Sequence, residues 1–337
     1  MPQPRTSPAF VPHLLRAVAT LCLLVALVGT ARADWNIVTH NGRDHVTAAD
    51  IKSFYRFPEL KLSGNTALWR GSQLWMKATI GSPELIINDV KFILSHPVTR
   101  KGRHVLVSRI DLAKLIDPVL RPDFIRQAQR FDTVVIDAGH GGHDPGAIGP
   151  YGKEKDFALS VAKRLGAILQ RNGYKVKYTR SDDRFIPLKK RAQIGNSTPN
   201  SIFISIHFNS AKRTGAQGIE TFALTPAGTA STAQSQRPSD HKKRTGNRRD
   251  AENIALATAV QNAVLKQINR YRPTDRGIKR ARWTVLSGLT RPGILFEGGF
   301  VSNQTEGKRI ATAAYQQQLA QGLATAIFKY RKAITGR

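Results

Sequence analysis

Two histidines and two glutamates of this sequence stand beside apolar segments, where their side chains could meet. His140 follows a short apolar run inside a glycine-rich stretch, and His207 closes a second apolar run. Glu297 closes a third, and Glu154 comes fourteen residues after His140, just before a helical pattern. Two imidazoles and one carboxylate form a known ligand set for catalytic zinc, with water in the fourth position. The residue types therefore predict a metal site with one further carboxylate beside it.

The chemistry of such a site is hydrolysis. Bound zinc lowers the pKa of its water from about 15.7 towards 7 and polarises a carbonyl group. A second carboxylate must then accept the proton of the water and pass it to the leaving nitrogen, and Glu297 fits that role.

Each residue also has a structural interpretation. His140 or His207 alone fits a hydrogen-bonded structural histidine, Glu154 an acid that interacts with a helix dipole, and Glu297 an ion-pair partner of an arginine. His143 is a rival ligand because it lies near the site in sequence.

Strands alternate with helices over 131–335, which we interpret as the catalytic domain. The predicted strands are 133–136, 174–178, 201–206, 219–223, 282–286 and 293–296, and the predicted helices are 156–172, 252–270 and 311–332. The alternation predicts an α/β fold with a mixed, mostly parallel sheet and helices on both faces. The site is then expected beyond the carboxyl ends of the strands.

The preceding segment predicts a small strand-rich α+β domain over 34–117, followed by a linker over 118–130. Two strands, 85–88 and 91–94, are expected to form a hairpin through Asn88-Asp89, with a further strand at 105–107 and a short helix at 111–116. Within the catalytic domain, residues 226–250 are polar and basic, and we expect a flexible insert.

The first 33 residues have the pattern of a signal peptide. Two arginines precede an apolar run of about a dozen residues, and Ala31-Arg32-Ala33 fits a signal peptidase site. We therefore expect export, to the periplasm or the cell wall. The one cysteine, Cys22, excludes a disulfide framework and a thiolate zinc site.

Composition and charge narrow the class of protein and its partners. The chain has 337 residues, 41% of them hydrophobic and 22% charged, which excludes a disordered chain, a collagen-like rod and a multispan membrane protein. The net charge of +29 favours polyanionic partners. Because the signal indicates export, anionic envelope polymers, membrane surfaces and wall-peptide carboxylates are better candidates than nucleic acid. A basic surface without a specific partner is the alternative.

Several motifs, in order along 131–332, are recognisable together. They include Asp137-Ala-Gly-His-Gly-Gly, Gly152-Lys-Glu-Lys-Asp, Ser205-Ile-His-Phe-Asn and Glu297-Gly-Gly-Phe-Val-Ser-Asn. They resemble the zinc-dependent N-acetylmuramoyl-L-alanine amidases of the type-3 amidase family. The resemblance implies a zinc amidase/exopeptidase-like fold, Zn²⁺ on His140, Glu154 and His207, and Glu297 as the catalytic carboxylate. It also implies peptidoglycan as substrate, cleaved between N-acetylmuramic acid and L-alanine during wall remodelling or daughter-cell separation.

Three further residues are candidates for substrate binding. Arg180 and Arg191 are expected either to pair with Asp182 or Asp183 or to face substrate carboxylates. Asn209 is expected to hydrogen-bond substrate or to orient His207.

The N-terminal segment weakly resembles the copper-amine-oxidase N-terminal-like domain, which here implies wall targeting and no copper. Two other functions stay open: a peptidoglycan-binding protein without activity, and a zinc peptidase that cuts within the stem peptide. A protein activator is a further expected partner.

Overall fold

The core of the molecule is a sheet whose central strands are buried along most of their length. In the computed structural model, which describes residues 35–125 and 128–335, every residue of Thr133–Ala138 is buried, as are the first six of Ser201–Asn209. Strands buried on both faces require helices on both sides of the sheet.

The strands, in chain order, are β1 Ile37–His40, β2 Arg43–Thr47, β3 Glu59–Ser63, β4 Thr66–Arg70, β5 Trp75–Thr79, β6 Glu84–Ile87, β7 Val90–Ile93, β8 Thr99–Lys101, β9 His104–Ser108, β10 Thr133–Ala138, β11 Ile148–Gly149, β12 Gly152–Lys153, β13 Lys175–Tyr178, β14 Ser201–Asn209, β15 Ile219–Leu224, β16 Asp275–Ala281 and β17 Gly293–Phe300. The α-helices are α1 Ala48–Phe54, α2 Arg109–Asp111, α3 Asp117–Leu120, α4 Glu154–Arg171, α5 Leu188–Ser197, α6 Asp250–Gln267, α7 Thr284–Ser287, α8 Gln304–Ile310 and α9 Ala313–Thr335. A π-helical turn spans Leu112–Ile116, and 3-10 helices span Pro122–Phe124, Pro238–His241, Thr245–Arg249 and Asn269–Tyr271.

Eleven strands form one sheet in the order β13-β10-β14-β17-β15-β16-β7-β6-β5-β4-β3. The pairs from β13 to β17 are parallel, β15 is antiparallel to β17, and β16 is parallel to both β15 and β7. The remaining pairs, from β7 to β3, are antiparallel. The predicted mixed α/β fold is confirmed.

Side-chain alternation along the strands assigns the helices to the two faces. On one face, Val135, Phe203 and Leu295 pack with Ala192 of α5. On the other face, Phe208 packs edge-on against Phe157 of α4, with 6.0 Å between ring centroids. The first face continues along the same strands, two residues at a time, into the polar residues of the site.

Five N-terminal strands, β3 to β7, are continuous with the catalytic sheet, whereas β1, β2, β9 and β8 form a separate four-stranded sheet. Strand β7 pairs with β16 at Phe92 and Ile278, and residues 36–337 cluster as one compact unit. The described sheet therefore continues across the predicted boundary between the small domain and the catalytic domain. Between them, the predicted linker contains the short helices α3 and Pro122–Phe124.

Other predictions of elements had mixed outcomes. The hairpin through Asn88 and Asp89 is present as β6 and β7, and both turn residues have positive φ, 45° and 68°. The strand predicted at 282–286 is wrong: the strand is β16, and the apolar Val285 and Leu286 are buried through the short helix α7 instead. Helix α5 was not predicted from the sequence.

Residues 226–250 are more structured than the sequence indicates. They contain two 3-10 helices, and Asp240, Asn247 and Asp250 are buried. The segment is anchored by Arg282, which donates to the carbonyl oxygens of Pro226 and Thr229. Such buried polar contacts are the reason that a polar stretch adopts a defined path.

The predicted signal peptide over 1–33 lies outside the described residues. Among the residues that are described, no helix has both the length and the apolar character needed to cross a membrane.

Candidate metal centre and catalytic cleft

The carboxyl end of β10 brings His140 to the edge of the sheet through a tight turn. His140 has φ of +59°, in the left-handed region that few non-glycine residues adopt. The preceding Gly139 lies so close to His207 that a Cβ atom would come within 2.4 Å of that imidazole ring. At Gly146, where φ is +63°, a Cβ atom would lie 2.6 Å from the Oε2 atom of Glu154. These glycines allow the side chains to converge.

Three side chains converge at this point in the geometry of a metal site. Within the described part of the chain, His140, Glu154 and His207 form a group whose ligand atoms all lie within 4.8 Å of one another. The Oε1 atom of Glu154 is 3.1 Å from Nε2 of His140 and 2.9 Å from Nδ1 of His207. Nitrogen and carboxylate donors suit Zn²⁺, so the donor set fits that ion.

Surrounding groups hold the ligands in place. Asp144 contacts Nδ1 of His140 at 2.8 Å through Oδ2, which leaves Nε2 towards the centre. Glu154 accepts hydrogen bonds from the backbone N–H groups of Ala147, at 2.9 Å, and Phe208, at 3.1 Å. Carboxylate–histidine pairs of this kind fix the orientation of a metal ligand.

The charges of the site favour an ionised carboxylate at its centre. Burial alone raises the pKa of Glu154, but hydrogen bonds and charges from His140 and His207 outweigh burial and hold that pKa well below its ordinary value. Burial lowers the pKa of His140, yet Glu154 and Asp144 outweigh this effect and the net pKa is raised. A negatively charged carboxylate between two imidazoles attracts a cation.

Glu297 lies beside this centre on the neighbouring strand. It is in register with His207 across the parallel β14–β17 pair. Its Oε2 atom is buried and has no hydrogen-bond partner among the residues that the structure describes. Burial and the nearby charges of Glu154 and Glu220 raise its pKa well above the ordinary value, against the opposing effect of Lys279. An unpartnered basic carboxylate is suited to exchange protons with a bound water or substrate.

Sequence reasoning missed Glu220, a second carboxylate, which lies on the strand next to that of Glu297. On β15 it is in register with Glu297 and is 2% exposed. Its carboxylate accepts from Asn209, at 2.6 Å, from Nε of Arg276, at 2.7 Å, and from Lys279, at 2.5 Å. The available signal was a charged residue within the apolar strand Ile219-Glu-Thr-Phe.

The two arginines predicted to bind substrate are instead buried beneath the centre. Arg180 and Arg191 are each 2% exposed. Arg180 donates to backbone carbonyl oxygens, among them that of Gly139 at 2.6 Å. Arg191 pairs with Asp137 at 2.8 Å and donates to the carbonyl oxygen of His140 at 2.6 Å. With their donors occupied in this way, both arginines position the His140 loop and do not face substrate.

The predicted ion pairs of these arginines are also different. Asp182 pairs with Arg184, and Asp183 pairs with Lys155 at 2.6 Å. His143, the rival ligand, is outside the metal group, and its ring packs against Phe185 at 4.3 Å between centroids.

A cleft of about 360 Å³ opens over the centre. His140, Glu154, His207 and Glu297 line it together with Asn209. Exposed Leu188 and Trp283 lie on its margin. The predicted contact of Asn209 with His207 is absent from the described hydrogen bonds, because its amide donates to Glu220. The cleft is of a size suited to a small peptide or sugar group.

Known proteins are similar to this chain over more than half of its length. The family model described as N-acetylmuramoyl-L-alanine amidase matches residues 134–329. N-acetylmuramoyl-L-alanine amidase AmiA of Escherichia coli K12 is 32% identical over 254 residues, which are 69% of this chain and 87% of that protein. AmiC of Neisseria meningitidis is 32% identical over 241 residues, which span 57% of that protein and 65% of this chain. The structure of an N-acetylmuramoyl-L-alanine amidase from Clostridium difficile 630 superposes with a TM-score of 0.50 at 31% identity, covering 60% of this chain and 97% of that one.

Proposed function

The chain belongs to the N-acetylmuramoyl-L-alanine amidase family, and from that premise we propose that it is a zinc-dependent amidase of peptidoglycan. It hydrolyses the amide between the lactyl group of N-acetylmuramic acid and the L-alanine of the stem peptide. The observation that carries the proposal is the placement of Glu297, with its unpartnered Oε2, in register with one member of the His140–Glu154–His207 group. A metal site and a basic carboxylate on adjacent strands are the minimum needed for amide hydrolysis.

His140, Glu154 and His207 are the residues that would hold Zn²⁺. When bound, the ion supplies Lewis-acid polarisation of the scissile carbonyl and an acidified water. The ionised Glu297 accepts the proton of the attacking water at Oε2. It then delivers that proton to the leaving nitrogen, which departs as the free amine of L-alanine. Asn209 lines the cleft and is the remaining candidate for a hydrogen bond to substrate.

Burial and the neighbouring charges set the pKa of Glu297, and therefore its capacity for this proton exchange. Burial, and then the charges of Glu154 and Glu220, raise the pKa of Glu297, whereas the charge of Lys279 lowers it. Lys279 also contacts Glu220 at 2.5 Å. The charges of Glu297, Glu220 and Lys279 therefore influence one another.

The cellular setting belongs to the same proposal. Cleavage after Ala33 delivers residues 34–337 to the periplasm, where peptidoglycan lies. The region 34–117 serves wall targeting, residues 131–335 carry the catalysis, and a protein activator regulates access. The activity then serves wall remodelling or daughter-cell separation.

The test is mass spectrometry of muropeptides after the purified protein is incubated with sacculi. Parallel samples contain a chelator or the variant Glu297→Ala. The expected result is release of intact stem peptides with a free L-alanine amine, lost in both parallel samples. Zinc content, measured by elemental analysis, is expected to persist in Glu297→Ala and to disappear with the chelator.

Two other results would replace the proposal. Cuts within the stem peptide would assign the site to a zinc peptidase. Retention on sacculi without product, in a zinc-loaded sample, would assign the protein either to wall binding without catalysis or to an enzyme that requires its activator.

A further inference from the structure

A second groove, of about 690 Å³, lies beside the catalytic cleft. Thr284 of α7 lines both spaces. Leu188 and Trp283 line the cleft. Lys189, the residue after Leu188, lines the groove. The groove is therefore a lateral extension of the site in which the amide is proposed to be cut.

The lining of the groove is strongly cationic. It contains five basic side chains, and no Asp or Glu is among its lining residues in the described part of the chain. The basic residues are Lys189, Lys242, Lys243, Arg244 and Arg282. A cleft lined by one sign of charge concentrates ligands of the opposite sign.

Most of these cations lack an acidic partner within ion-pair distance. Among the described ion pairs, only that of Arg282 with Asp240, at 2.8 Å, involves a member of the group. Lys189, Lys242, Lys243 and Arg244 have no ion-pair partner among the described residues, so their charges are available to an anionic ligand.

The loop that carries three of these cations has a fixed path. Lys242, Lys243 and Arg244 lie between the 3-10 helices Pro238–His241 and Thr245–Arg249. Buried Asn247 accepts from the backbone N–H of Arg244 at 2.8 Å and donates to the carbonyl oxygen of Thr225 at 2.9 Å. The charges are thus held at the groove and are not scattered on a free loop.

We propose that this groove, here named the Lys242 groove, binds the free carboxylates of the substrate stem peptide while its first amide bond lies in the catalytic cleft. The inference rests on the proposed function, because it assigns a subsite to the same substrate. A peptide that leaves the cleft past Thr284 enters the groove, and its anionic residues then face Lys189, Lys242 and Lys243.

Continuity with the cleft is the reason to choose the peptide over a separate phosphate polymer. A peptide anchored at the scissile bond reaches the groove past Thr284, the residue that lines both spaces. We therefore predict a preference for substrates with free stem-peptide carboxylates, rather than a general affinity for anions.

The experiment compares two soluble N-acetylmuramoyl peptides, one with free stem-peptide carboxylates and one with the same carboxylates amidated. Values of kcat/KM are measured for the wild-type protein, for Lys242→Glu/Lys243→Glu, and for the control Lys329→Glu/Lys332→Glu. All four lysines are exposed, and the control pair lies on α9, away from both spaces. Both double variants change the net charge equally.

The wild type is expected to prefer the free carboxylates. Reversal of Lys242 and Lys243 is expected to lower kcat/KM for that substrate about tenfold and to leave the amidated substrate unchanged, since like charges then oppose each other across the groove. The control is expected to keep the wild-type preference. High salt should shrink the preference, because these contacts are partly exposed.

Other outcomes overturn the proposal in distinguishable ways. Equal cleavage of both substrates by all three proteins, at the correct amide, removes the Lys242 groove as a subsite and leaves the amidase function intact. Cleavage of neither substrate removes both. An unchanged preference together with weaker binding of Lys242→Glu/Lys243→Glu to phosphatidylglycerol vesicles would assign the groove to a phosphate-bearing surface instead.

Discussion

At the residue scale, the orientation of His140 depends on Asp144. Asp144 contacts Nδ1 of His140 at 2.8 Å and accepts from the backbone N–H of Gly146 at 3.0 Å. One carboxylate therefore fixes both the imidazole ring and the turn that carries it. Outer partners of this kind contribute to metal affinity although they do not touch the ion.

Replacement Asp144→Ala is expected to weaken zinc binding about 10- to 100-fold. The measurement is a competition titration with a chromophoric chelator. Asp182→Ala is the matched control, because Asp182 pairs with Arg184 on the surface and not with a ligand. An affinity equal to that of the control would show that Asp144 has no role in the centre.

The raised pKa of Glu297 has a consequence for stability. Burial and the charges of Glu154 and Glu220 raise its pKa in the folded protein, whereas in the unfolded chain it returns to about 4.3. Above the unfolded value, the unfolded chain loses this proton more readily, so rising pH favours unfolding. The raised pKa of Glu297 therefore lowers the free energy of unfolding at neutral pH but not at acidic pH.

Replacement Glu297→Gln is expected to raise the Tm of the metal-free protein by a few degrees at pH 7 and to give no gain near pH 4. Thermal unfolding with a chelator present measures both values. Glu59→Gln removes the same charge from an exposed strand position and is expected to give no gain at either pH. An equal gain at both pH values would contradict the assignment of this cost to ionisation.

At the scale of elements, a buried cluster ties α5 and two strands of the sheet together under the site. Asp137 of β10 accepts from Thr179, at 2.6 Å, from Ser205 of β14, at 2.7 Å, and from Arg191 of α5, at 2.8 Å. Arg191 also donates to the carbonyl oxygens of Ala138 and His140, both at 2.6 Å. The cluster holds the end of β10 just before His140, a proposed metal ligand.

Replacement Arg191→Met is expected to lower the free energy of unfolding by about 3–5 kcal/mol, because the buried charge of Asp137 would lose its partner. Urea unfolding measures the change. The matched control is Arg109→Ala, which breaks the exposed pair with Asp44 and is expected to cost at most about 1 kcal/mol. A loss as small as the control would contradict the structural role assigned to Arg191.

At the scale of the whole molecule, the N-terminal strands and the catalytic sheet share buried contacts. Arg280 on β16 is 2% exposed and pairs with fully buried Asp111 at 3.1 Å. Arg280 also donates to the side chain of Ser95 at 2.7 Å and to the carbonyl oxygen of Ile93 at 2.9 Å. Such contacts couple the unfolding of the two regions.

Calorimetry is expected to show one transition for both regions. Asp111→Ala leaves the buried charge of Arg280 without its partner and is expected to destabilise that transition by about 3–5 kcal/mol. Two resolved transitions in the wild type, with only one of them shifted in Asp111→Ala, would contradict the coupling.

Much of the site follows from local sequence. Apolar runs of strand length that end in His140, His207 and Glu297 specify that these side chains meet at one edge of a sheet, because parallel strands end together. Gly139 and Gly146 leave the space that the turn requires, and Gly146 also adopts a positive φ of +63°. The proposed metal ligands and the sheet edge at which they meet are therefore encoded within a few residues of each motif.

The partners of charged residues were decided only by the tertiary structure. The sequence paired Arg180 and Arg191 with nearby acids or with substrate, whereas folding buries them against the β10 turn, with Arg191 on Asp137, 54 positions away. Glu220 and the Lys242 groove were unpredictable for the same reason. Local patterns determine strands, turns and helices, but a charge pairs with whatever the long-range packing brings within reach.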